Sequence, residues 1–115
     1  MSNEIVIGVS ERIGSKRAIS NTGAECVYEQ ICGIIDRKGV VVLDFAGIEL
    51  IVTAFLNTAI GKLYGKYDEA KIEASLRFHN LDNDDMEMVS EVKKRAKSFF
   101  ADTRGFSDKA EEALH

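Results

Sequence analysis

Proline is absent from this chain, so its turns must be built from glycine, asparagine, aspartate and serine. Cysteine is scarce. Cys26 and Cys32 stand six residues apart in a segment of helical pattern, which places them about 240° apart around the helix axis. They can neither pair within that helix nor share a metal ion, and two small, partly buried side chains are the simpler reading. Long apolar runs are also missing, since none approaches the roughly 20 residues that cross a bilayer as a helix. A basic excess is lacking too. The formal net charge is −4, whereas nucleic-acid binding calls for a basic stripe. Met1-Ser2-Asn3-Glu4 carries no positive charge ahead of its short apolar run, unlike a secretion signal. A cytoplasmic protein that contacts neither membrane nor nucleic acid is expected.

What is present suits one soluble domain. The 115 residues are enough for a single core, and 45% apolar with 30% charged residues is an ordinary globular balance. The organising stretch is Val40-Val41-Val42-Leu43-Asp44-Phe45, a near-continuous apolar run that opens after Gly39 and reads as a strand buried on both faces. A loop follows, and Thr53 stands where a helix should begin. In open α/β sheets, such a junction is where ligands and partners are met.

Around this stretch the remaining elements fall in order. Glu4 to Val9 is rich in β-branched residues and reads as a strand, with Lys16 to Ser20 returning as a short hairpin partner. Ser20-Asn21-Thr22-Gly23 starts a helix in which Val27, Ile31, Ile34 and Ile35 share one face. After the central strand, Phe55, Leu56, Ala59, Ile60, Leu63, Tyr64 and Tyr67 form a stripe of about four helical turns. Gly61 and Gly65 within it suggest close packing on the sheet. Lys71 to His79 alternates, with Ile72, Ala74, Leu76 and Phe78 inward, as a half-buried strand does. Asp82 is the natural cap of a last helix, with Asp84, Asp85 and Glu87 at its start and Val89, Val92, Ala96, Phe99 and Phe100 as its buried stripe. The pattern is β-β-α-β-α-β-α: a small mixed four-stranded sheet with helices mainly on one face. Residues 1–102 make the domain, and 103–115 a weakly patterned tail that is short helix or frayed.

Candidate chemistry is sparse. Asp44 closes the central strand and is expected to accept hydrogen bonds from loop amides, shaping the turn toward Thr53. Receiver-type chemistry at Asp44 would need an acidic pair after the first strand, and only Glu11 is near. Thr53 reads as a helix N-cap; the sharper reading makes it a phosphoacceptor, where added charge would disrupt a docking surface. Asn57 is unfavourable inside a helix and points to a specific hydrogen bond, to the loop or to a partner. The cluster Lys93-Lys94-Arg95-Ala96-Lys97 suits a helix C-terminus as a solvated face. His79 has no Cys, Asp or His at ligand spacing. Nucleophilic triads, phosphate-binding glycine loops and metal clusters are all missing, so no catalytic residue, metal or cofactor is expected.

The block from Val40 to Phe45, Gly47-Ile48, and Thr53-Ala54-Phe55-Leu56-Asn57-Thr58-Ala59-Ile60-Gly61-Lys62-Leu63-Tyr64 resembles the STAS-like domain family of unknown function, related to anti-sigma-factor antagonists. Gly14-Ser15-Lys16-Arg17, Ile19-Ser20, Asn80-Leu81 and Ala96-Lys97 extend the resemblance over about residues 4–100. It implies the STAS architecture and a partner, a histidine-kinase-like (GHKL) ATPase or related regulator, that phosphorylates a serine at the start of the helix after the central strand. The family's Asp-Ser-Ser-Gly falls on Val52-Thr53-Ala54-Phe55. The phosphorylated serine therefore lies on Ala54, and Thr53 alone keeps a hydroxyl. The expected docking surface is loop 46–53 and the first turns of the next helix, with Asp44, Thr53, Ala54, Phe55, Leu56 and Asn57 as its residues. The rival expectation is a small-ligand or nucleotide-binding domain that uses the same helix N-terminus.

Overall fold

The computed structural model describes residues 4–114, and side chains over residues 4–101. Three strands form a parallel sheet in the order β1 (Glu4–Gly8), β3 (Val40–Asp44), β5 (Leu76–His79). Two-residue strands β2 (Arg17–Ala18) and β4 (Leu50–Ile51) make a separate parallel pair. The helices are α1 (Val9–Ile13), α2 (Asn21–Asp36), α3 (Thr53–Ala59), a 3-10 helix (Gly61–Gly65), α4 (Glu69–Ser75) and α5 (Asn83–Leu114). The α/β class agrees with the sequence reading, whereas a mixed four-stranded sheet is not what forms.

The expected hairpin is replaced by α1. Val9 is fully buried and Ile13 packs against the core; that four-residue spacing favours a helical turn, which Gly14 ends in the left-handed conformation. The chain then leads away from β1, and β2 pairs with β4 in the register Arg17↔Leu50, Ala18↔Ile51.

Helix α2 begins and ends as local chemistry dictates. Ser20 Oγ accepts from the Gly23 amide at 3.2 Å. At the other end Gly39 N donates to Ile34 O and Lys38 N to Ile35 O, with Lys38 at φ 63°, a Schellman closure that holds a lysine where glycine is more usual. Its apolar face (Ala24, Val27, Ile31, Ile34, Ile35) is buried, and both cysteines are free thiols. β3 is the central strand: Val41 and Leu43 join the core beneath the helices, while Val42 lies outside that cluster, in the row Val6↔Val42↔Arg77 on the other face. Val6 in that row is 60% exposed.

The four-turn helix expected over residues 55–67 breaks after Ala59 into the 3-10 helix. Gly61 and Gly65 lower the helical preference there, and what they pack on is α5 rather than the sheet. A Cβ on Gly61 would sit 3.7 Å from Val92 and Ala96, and one on Gly65 would sit 2.5 Å from the Phe100 ring. Tyr67 Oη donates to Asp36 Oδ1 at 2.6 Å, tying the end of this segment to α2.

The segment 71–79 is also not one strand. Residues 69–75 form α4 and only Leu76–His79 extend as β5. Ile72 is fully buried as expected, but Ala74 is exposed. The glutamates of α4 meet lysines of α5, Glu73 with Lys93 at 3.1 Å and Glu69 with Lys97 at 3.0 Å, so part of the basic cluster ties two helices together.

Asp82 caps α5 as expected, with the Asp85 amide 2.8 Å from its carboxylate. Burial, with Asp82 and Asp84 nearby, raises the Asp85 carboxyl above the usual range. Val89, Val92 and Ala96 are buried, but Phe99, expected in the same stripe, is 62% exposed. α5 continues through the residues set apart as a tail, whose side chains and His115 lie outside those described. Among the described residues, no helix is long and apolar enough to cross a membrane.

Candidate functional site

The site is built outward from the end of β3. Asp44 Oδ1 accepts from the Ala46 amide at 3.0 Å and from Asn80 Nδ2 at 2.7 Å. Phe45 N donates to His79 O at 3.0 Å, so the ends of β3 and β5 are tied side by side. The Asn80 side chain reaches Asp44 from a residue at φ 62°, a conformation asparagine tolerates better than most residues. The Asn80 amide, then the Ala46 amide, holds the Asp44 carboxyl below the usual range. This is the turn-shaping role expected for Asp44, with Asn80 as a partner the sequence did not point to.

A lowered carboxyl stabilises the fold above its unfolded pKa of about 3.9, and that contribution disappears as pH falls through the lower folded value. Asp44→Asn is expected to lose about 1 kcal/mol at neutral pH, the scale of a solvent-screened, charge-assisted hydrogen bond. Urea midpoints of the two proteins should converge as the solution is acidified. A gap constant with pH would sink the assignment.

Beyond Asp44 the loop turns through Gly47 at φ 82°. Ile48 N returns to Phe45 O, Glu49 N to Lys16 O and Val52 N to Ala18 O, so the β2–β4 pair anchors the far side of the loop. The helix cap is Val52, whose side chain cannot cap; its carbonyl accepts from Phe55 N and Leu56 N at 3.1 and 3.4 Å. Thr53 is thus the first helical residue, not the cap expected. It is half-buried, and among the described residues its hydroxyl has no hydrogen-bond partner.

The six expected site residues do not form one surface. Ala54 and Asn57 are exposed on the outward side of α3 beside Thr53. Phe55 and Leu56, expected as apolar contacts, are only 1% and 0% exposed. They belong to the core, with Phe55 against α2, because a seven-residue helix lying on a core buries the residues between its outward positions. The Asn57 amide finds no partner among the described residues. Instead of reaching the loop, it lines a shallow cavity shared with Arg95 and Phe99 of α5.

Two apolar residues near the helix start escaped notice. Leu50 of β4 and Ile19, the residue after β2, are each 47% exposed. Two-residue strands show too little alternation for sequence to reveal this.

Fold and site together define an α/β domain whose distinctive exposed feature is a loop and helix start beside the end of its central strand. Over residues 27–86, more than half of the chain, the sequence matches the family described as a STAS-like domain of unknown function, and the chain belongs to that family. No curated protein and no solved structure matches it.

Proposed function

We propose that this chain is a non-enzymatic, cytoplasmic regulatory domain that docks a histidine-kinase-like ATPase through loop 46–53 and the outward side of α3. The observation that carries this reading is the position of Thr53. It heads α3 without capping it, and it stands among exposed Ala54, Asn57 and Leu50. Capping, the structural reason for a threonine here, no longer accounts for it. A phosphoryl group on Thr53 would add about −1.5 to −2 charges at the start of α3 beside exposed Ala54, disfavouring a partner with an apolar or acidic face seated there. The nucleotide-binding alternative rests on the N-terminal field of α3, which a helix of two turns supplies weakly.

The test is affinity purification of the tagged chain from its own host, with and without ATP, reading partners and phosphosites by mass spectrometry. Recovery of a histidine-kinase-like ATPase by wild type and Thr53→Ala, and its loss with Thr53→Glu, supports partner switching. Recovery indifferent to Thr53→Glu removes the switch and leaves constitutive docking. Failure of wild type to recover such an ATPase overturns the proposal.

A further inference from the structure

A second concave region lies where α5 meets α4 and the end of β5. A cleft of about 380 Å³ opens there, within the range that small-molecule sites occupy. Its floor is apolar: Phe78, Leu81, Met86 and Val89. Met86 is 55% exposed, a flexible thioether of the kind frequent at adaptable binding surfaces. Lys93, Lys94 and Lys97 line one wall against a single carboxylate, Glu73, although the whole protein is acidic. Lys93 and Lys97 are held by Glu73 and Glu69, and Lys93 Nζ stands 5.8 Å from the centre of the Phe78 ring. Lys94 is exposed, and among the described residues it has no ion-pair partner.

We propose that this cleft binds a small amphipathic organic anion, with its apolar body against Phe78 and Met86 and its acidic head at Lys94. The division of the lining carries the assignment. An uncharged ligand would leave Lys94 unanswered, and a cationic one would be repelled by it. A hydrophilic anion would gain nothing from the floor, where apolar contact supplies the affinity. Lys94 is the discriminating residue because its two lysine neighbours are already engaged with α4.

The probe is octanoate, titrated into the ¹⁵N-labelled full chain, with octyltrimethylammonium as the same alkyl chain bearing the opposite charge. Saturable shift changes are expected at amides of Phe78, Leu81, Met86 and Ser90. Octanoate should bind about tenfold tighter than the cation, the scale on which a favourable charge contact replaces a repulsive one. Lys94→Glu should weaken octanoate about fivefold, and Arg95→Glu, on the same helix but outside the cleft, should not. Both substitutions are at exposed helix positions, so the spectra themselves report that the fold is kept. Equal binding of the two amphiphiles, scattered shifts, or indifference to Lys94→Glu would overturn the proposal. Indifference to octanoate with binding of an acidic amphipathic peptide would also overturn it, assigning the cleft to a protein partner.

Discussion

Phe55→Ala is expected to lower folding stability by about 3–5 kcal/mol, the range for emptying a buried aromatic site. Domains of this size hold about 5–15 kcal/mol in total, so the variant should unfold at much lower urea, or fail to accumulate folded. The ring is among the largest fully buried side chains, and it stands next to Gly23 of α2, where an added Cβ would lie 3.7 Å from it. Nothing small nearby can refill the space without moving α3. Asn57→Ala, two residues on and exposed, should stay within about 0.5 kcal/mol of wild type. An unchanged urea midpoint for Phe55→Ala would contradict the burial. The contrast also governs how the docking proposal is probed. Loss of a partner on Phe55→Ala or Leu56→Ala would report a damaged core, whereas Leu50→Lys, Ala54→Arg and Asn57→Ala act on the surface itself.

The same contrast shows what sequence could and could not reveal. Features decided by neighbouring residues were legible. Ser20 and Asp82 cap helices because a short oxygen-bearing side chain precedes a periodic apolar run, and β3 is buried because four consecutive apolar residues, Val40 to Leu43, leave no polar face. Asp44 turns its carboxylate onto a loop amide two residues away, a local preference of aspartate. Features decided by what packs on top were not legible. Phe55 beside Ala54 reads equally as core or contact until the orientation of α3 is known. Gly61 and Gly65 signal close approach, but not whether sheet or helix approaches; α5, thirty residues on, supplies the answer. Thr53 is displaced from capping by a single position, a finer distinction than an apolar pattern can make. The pairing of β2 with β4 joins residues more than thirty positions apart through strands too short to show a period.

The most instructive misreading is at residues 71–79, and Ile72→Asp with Ala74→Asp settles it. Strict alternation places Ile72 and Ala74 on one face of a strand, so a carboxylate at either position would be driven into the core. In α4 the two residues are about 200° apart around the axis; Ile72 is fully buried and Ala74 is exposed. Ile72→Asp is therefore expected to lose several kcal/mol, since a buried carboxylate without a partner must be desolvated or protonated. Such a loss is comparable to the whole stability of the domain, and the far-UV and near-UV circular dichroism of the variant should be those of an unfolded chain. Ala74→Asp should fold normally, within about 0.5 kcal/mol of wild type by urea denaturation. The alternation misleads because charges at Lys71 and Glu73 satisfy a helix as well as a strand: Ile72 and Leu76 are four apart, one helical face, and the strand begins only at Leu76. Equal damage from both substitutions would restore the longer strand and contradict α4.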